Sequence, residues 1–250
     1  MSEVFPRHVL CVLGSGLDLS EMERIAADFG FALDHENSSA EPDPRMTEAF
    51  EATMARASFD EADRAAVESH DTVGYLLGAP MMRELAASTS RRLLAATATL
   101  LRSGAAAVKN ESSGIAHGRE RWLALADRAA DAKREDLADA LASAWVTRPI
   151  YDGEVLTSCG MHLLGAPEVE IEVGAEPPAG DELLELVEHL DVLAIYLLTD
   201  PRGPEVEDGD GFRITEDAPR RLLRTGACEG YDEDDLFFNP YGYVRLTHPE

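Results

Sequence analysis

Cysteine is scarce in this 250-residue chain. Cys11, Cys159 and Cys228 are odd in number and unevenly spaced, which excludes a disulfide framework. Basic residues are few as well: 22 Lys and Arg stand against 48 Asp and Glu, a formal net charge of −26. Nucleic acid and anionic membranes both need Lys and Arg to neutralise phosphate, so neither is expected as a partner. Uninterrupted apolar runs are also missing. The longest, Leu183 to Leu198, is broken by Glu185, Glu188, His189 and Asp191, whereas a membrane span wants about 20 nearly uncharged residues. The opening Met1-Ser2-Glu3-Val4-Phe5-Pro6-Arg7 has no basic stretch followed by an apolar one, so no signal peptide is read. A cytoplasmic location is the expectation. No internal repeat and no low-complexity tract stands out.

What is present suffices for a globular core: 45% hydrophobic and 28% charged residues over a length that needs no covalent staples. The acidity is uneven. Residues 151–250 hold 24 acids against 6 bases, a net of −18, and residues 1–150 hold 24 against 16, a net of −8. Solubility accounts for such a surface, and so does a cationic partner.

The first half alternates strand and helix signals. His8–Leu13 reads as a buried strand ending at Gly14-Ser15-Gly16. Asp18 with Glu21 opens a helix that Gly30 closes, and Phe31–His35 is the next strand. Glu36–Arg45 reads as a loop. Ser58 with Glu61 forms a capping box for a helix over 59–69, and Thr72–Leu77 is a strand. A long helix over 82–103 carries Leu85, Thr89, Leu93, Ala96 and Leu100 on its inner face. Ala105–Lys109 returns as a strand, before helices over 119–132 and 135–145. The second half is richer in hairpins. Val155–Leu164 reads as extended. Glu168–Val173 alternates as an antiparallel strand, with Glu168, Glu170 and Glu172 on a wet face. Asp181 caps a last helix, Phe212–Thr215 is a short strand, and Tyr241–Leu246 is an edge strand. The class is therefore α+β: mixed sheets with helices packed on one face, strand–helix alternation first and an antiparallel hairpin later. Residues 1–250 read as one unit. Division into sub-domains 1–147 and 148–250 stays open, as does an acidic extension over 225–250.

Two stretches, Gly104–Trp122 and Ser158–Ile171, are similar to a bacterial family numbered 4261 among the domains of unknown function. Its C-terminal hallmark is a hydroxyl residue, one residue, Gly and an apolar residue, then Gly, two residues, Glu, an apolar residue and Glu. Ser158, Gly160, Met161, Gly165, Glu168 and Glu170 occupy those places, with serine where the family has threonine. The resemblance covers roughly Val9 to Leu223. It implies a cytoplasmic bacterial protein of one compact unit and carries over no catalytic residue.

The candidate chemistry is thin. Gly14-Ser15-Gly16 before a helix suggests a phosphate cradle, but position 19 is Leu where a dinucleotide fingerprint needs glycine, and a plain turn is the favoured reading. Cys159-x-x-His162 is half a metal motif without its second half. Glu205–Gly211 resembles a calcium loop but puts Val206 where the first carboxylate ligand belongs. Neither metal nor cofactor is expected. The richest polar cluster is Lys109, Glu111, Ser112, Ser113 and His117. Within it Glu111, Ser112 and His117 have the residue types of nucleophilic catalysis, though Gly-x-Ser-x-Gly is absent. Candidate binding residues are Lys109, Trp122, Ser158, His162, Glu168 and Glu170. The function the sequence favours is a non-enzymatic acidic module, immunity- or antitoxin-like, that docks a basic protein. The alternative is a hydrolase using Glu111, Ser112 and His117. It requires those groups to converge in a cleft, and burial of His117 against Trp122 would exclude it. Oligomeric state is left open.

Overall fold

The computed structural model describes residues 4–54, 59–174 and 176–247. The first half runs β1 (Val9–Gly14), α1 (Leu19–Asp28), β2 (Ala32–Leu33), α2 (Arg45–Met54), α3 (Glu61–Glu68), β3 (Thr72–Leu77), α4 (Arg83–Arg102) and β4 (Ala105–Asn110). Then follow β5 (Ala116–Gly118), α5 (Arg119–Asp131) and α6 (Glu135–Trp145). The second half runs β6 (Thr147–Tyr151), β7 (Val155–Cys159), a 3-10 turn at Met161–Leu164, β8 (Glu168–Glu172), α7 (Gly180–Thr199), β9 (Gly211–Phe212), β10 (Arg221–Gly226) and β11 (Tyr243–Leu246). The class is α+β, with two sheets.

The first sheet is antiparallel in the order β2-β3-β1-β4-β5. Its central strand is apolar at successive positions because both faces are covered. Leu10 and Val12 meet α1, α4 and α5, while Cys11 and Leu13 meet Met46 and Phe50 of α2 and Val67 of α3. Helix α2 begins at Arg45, the last residue of the expected loop, and runs through residues for which the sequence pattern predicts no element. The capping box of α3 is made by Asp60 and Asp63, and Ser58, which the sequence suggests for it, lies outside the described residues. Helix α4 is the hub. Its Leu93, Ala96 and Leu100 are buried as the pattern predicts, and Leu94 O accepts from Trp122 Nε1 at 3.2 Å. Leu85, expected on that inner face, is 49% exposed in the first turn, where the helix overhangs its packing.

The second sheet is mixed, in the order β6-β7-β8-β11-β10-β9. Strands β6 and β7 form an antiparallel hairpin. Strand β8 runs antiparallel to β7, as its alternation predicts, and parallel to β11. Strand β11, expected at an edge, is hydrogen-bonded between β8 and β10, so Arg221–Gly226 and Tyr243–Leu246 are both part of the sheet. Leu156, Val169, Ile171, Val244 and Leu246 face α7 and join the main core. Val155–Leu164, read as one extended run, is a strand only to Cys159. Gly160 then takes φ 122°, where only glycine is at ease, and the chain tightens into the 3-10 turn. A Cβ at Gly160 would stand 2.4 Å from Trp145 O, so the turn docks directly on the end of α6. Asp181 does not cap α7; the cap position is Ala179, without a side-chain bond.

Candidate functional site

The sequence places three binding candidates, Ser158, His162 and Glu168, within eleven residues, and the fold brings them together. The Glu168 carboxylate is buried and accepts from six groups. Oε2 takes Ser158 Oγ at 2.6 Å and Met161 N at 3.2 Å. Oε1 takes Gly160 N at 3.1 Å, His162 N at 3.4 Å, His162 Nδ1 at 3.1 Å and Asn239 Nδ2 at 2.9 Å. Burial pushes the Glu168 carboxyl toward the neutral form, yet the donors, His162 foremost, outweigh it and hold the group below its ordinary value. Ser158 Oγ in turn accepts from Val169 N at 3.0 Å. The motif is thus a knot that ties β7, the 3-10 turn and β8 to Asn239, in the connection between β10 and β11.

The wet face expected for β8 is not wet at Glu168 and Glu170, whose side chains are 12% and 14% exposed. Glu170 pairs with Arg245 at 2.7 Å, and the Arg245 guanidinium lies over the Tyr243 ring at 4.9 Å. These residues form the floor of a cleft of about 400 Å³. Because inward residues of β7, β8 and β11 feed the core, Thr157, Glu168, Glu170, Tyr243 and Arg245 share the opposite face. Residues 227–231 with Phe237 and Asn239, from the connection between β10 and β11, form the facing wall, and Asp152 stands at the hairpin end. Four carboxylates, Asp152, Glu168, Glu170 and Glu229, line it against one guanidinium, Arg245. Burial and these charges act together on the titrating groups there. Burial first, then Arg245 opposing and Asp152 and Glu168 reinforcing, leaves the Glu170 carboxyl above its ordinary value. Burial, then Glu168, raises the Cys159 thiol. Sequence reasoning missed Asp152, Tyr231, Asn239 and Arg245. Only Asn239 had a local signal, an Asn-Pro turn, and its Oδ1 indeed accepts from Tyr241 N at 2.8 Å.

The catalytic candidates do not converge. Ser112 Oγ donates to Arg7 O at 2.8 Å and accepts from Val9 N at 3.1 Å, a fully buried tie between chain segments. His117 is buried edge-on against Trp122, ring centroids 5.6 Å apart, with Nε2 on Ala144 O at 3.1 Å. Burial pushes it down to about 4, a value at which a base near neutral pH would be weak. Glu111 is held by Lys109 at 2.5 Å. Trp122 is buried in the core and packs edge-on against Trp145, ring centroids 5.1 Å apart. At Gly14-Ser15-Gly16 the amide of Gly16 is taken by Asp71 Oδ1 at 2.7 Å, so the turn carries its own carboxylate. Asp208 and Asp210 of the acidic 205–211 segment bind Arg224 and the amides of Thr225 and Glu207. Among the described residues no group of three His, Cys, Asp or Glu is arranged to hold a metal, Cys159 and His162 included. Nor is any helix among them long and apolar enough to cross a membrane. Comparison of the chain with protein-family models, with curated proteins and with solved structures finds no match in any of the three.

Proposed function

We propose that this protein is a non-enzymatic binding module, immunity- or antitoxin-like, that docks a basic protein through its acidic second half. The observation that carries the reading is the concentration of charge: a net of −18 over residues 151–250, which build the second sheet and the carboxylate-lined cleft. Opposite charge on a partner would speed encounter and select among partners. The dispersal of Ser112 and His117 into structural bonds supports the non-enzymatic side of the reading. The family resemblance adds no activity to it. The test is affinity capture of the tagged protein from host lysate, washed at low and then high salt, followed by purification of what is retained and a binding titration. One stoichiometric basic protein, whose affinity falls steeply with salt, is the expected result. An empty capture at both salts, or an affinity indifferent to salt, overturns it.

A further inference from the structure

The cleft between the second sheet and the 227–242 connection already recognises one guanidinium. Arg245 places Nε and Nη2 on Glu170 Oε2, both at 2.7 Å, with its plane over Tyr243. That is the carboxylate-plus-aromatic pairing that suits arginine better than lysine, whose ammonium is a compact, strongly hydrated point charge. The same chemistry recurs unoccupied beside it. Asp152 uses Oδ1 for the amides of Glu154 and Val155, and no hydrogen bond or ion pair engages Oδ2 or the Glu229 carboxylate among the described residues. Tyr231 is 45% exposed and backed by Phe237 at 5.4 Å, so one ring is braced and open. Cys159, 6% exposed, lines the same space with a thiol that makes no hydrogen bond among the described residues. About 400 Å³ is near the small end of ligand pockets, too small for a helix and ample for one long side chain.

We infer that the cleft takes a single arginine side chain of the basic partner, its guanidinium meeting Asp152 and Glu229 and its plane lying on Tyr231. This rests on the proposed binding function and gives it an address. The field in the cleft has the right sign. Glu170, Cys159 and Tyr231 are all biased toward their protonated forms by burial first; Arg245 opposes this at Glu170, where Asp152 and Glu168 reinforce it, and neighbouring acidic groups add to it at Cys159 and Tyr231.

The test is calorimetric titration of the full chain with hexa-arginine and with hexa-lysine, at low and at physiological salt. Asp152→Asn/Glu229→Gln removes two charges and keeps the Asp152 oxygen that the turn needs. It should weaken hexa-arginine roughly tenfold or more. Tyr231→Ala should weaken it severalfold without changing net charge. The control Glu182→Gln/Glu188→Gln removes the same charge from exposed positions of α7 and should cost about twofold. Equal losses in the cleft pair and the control pair would overturn the cleft as the address while leaving the binding function standing. Hexa-lysine binding as tightly as hexa-arginine would overturn the guanidinium assignment. Absence of binding to either peptide at low salt would overturn the proposed function itself. Circular dichroism of each variant establishes that its fold is intact before its affinity is read.

Discussion

Glu168→Gln tests whether the knot or the cleft is the chief employment of the motif. The substitution keeps the shape and removes the charge. A glutamine carbonyl can stand at the Oε1 position and keep Gly160, His162 and Asn239 as donors. Its amide nitrogen then faces Met161 N–H, donor against donor, where the carboxylate accepted at 3.2 Å. One buried N–H left unpaired costs about 1–3 kcal/mol, and conversion of the remaining charge-assisted bonds to neutral ones costs about 1–2 kcal/mol more. Relief from burying a charge works the other way. That relief is the smaller effect, because the carboxyl is held below its ordinary value despite burial. A net loss of about 3 kcal/mol is expected, seen as a Tm lower by roughly 6–12 °C for a chain of this size. The pH dependence follows from the direction of the shift. A folded value below the unfolded one gives stability that is fully present above about pH 4.3 and is lost as pH falls through the folded value. The gap between wild type and variant should therefore be flat from pH 5 to 8 and close in acid. Thermal unfolding by circular dichroism at several pH values reads both. A Tm shift below about 2 °C, or a gap that persists unchanged at pH 3, would refute the assignment of Glu168 as an ionised structural anchor.

The buried histidines make a second acid-sensitive element. His8 is pushed down to about 3 and His117 to about 4, in both cases by burial first. The unfolded chain therefore binds the extra protons, and stability should fall by about 1.4 kcal/mol per pH unit for each histidine from pH 6.5 down toward those values; urea midpoints from pH 8 to 5 check it, and a flat profile contradicts it. Gly160→Ala and Gly153→Ala impose the same positive-φ strain, but only Gly160 has neighbours in the way, Trp145 O at 2.4 Å and Ser113 Cβ at 2.9 Å. Gly153→Ala should cost about 1 kcal/mol and Gly160→Ala at least about 3 kcal/mol or the soluble fold itself, a contrast measurable by denaturation and soluble yield. Ser112→Ala should lower stability by about 1–3 kcal/mol by stranding Val9 N–H and Arg7 C=O, while partner affinity measured by calorimetry stays unchanged.

Strand and helix identities were legible where a segment's pattern is dictated by one neighbour. Thr72–Leu77 and Glu135–Trp145 form their elements at the bounds their periodicity predicts, because apolar spacing alone decides them. Legibility fails where partners are distant. Thr147–Tyr151 and Arg221–Gly226 carry weak alternation and are strands because β7 and β11 supply the ladder. Tyr241–Leu246 reads as an edge strand because nothing local reveals that β8, 75 residues earlier, pairs with the other side of Tyr243–Leu246. The exposed row expected from Glu168, Glu170 and Glu172 failed for the same reason. Alternation fixes which side chains share a face, not what lies over that face, and here Arg245 and residues 227–242 do.

That failure bears on how the motif itself is read. Ser158, Gly160, Met161, Gly165 and Glu168 are each accounted for by the local turn. Ser158 and the amides of Gly160 and Met161 satisfy Glu168, and Gly165, at φ 80°, closes the 3-10 turn against Arg83 O. Nothing is left over for a ligand at Glu168, whose donors saturate it. Glu170 differs, since burial outweighs its single guanidinium partner and leaves its carboxyl above the ordinary value. Among the described residues lining the cleft, Asp152 and Glu229 also keep unused bonding capacity, on a hairpin end and a long connection, where sequence gives no periodic signal. The knot holds β8 and, through Asn239, the facing wall of the cleft. Loss of Glu168 would therefore be felt at the cleft through that wall, whereas loss of the Asp152 or Glu229 charge, with the Asp152 oxygen kept for the amides of Glu154 and Val155, would leave the fold in place and change only what the cleft attracts.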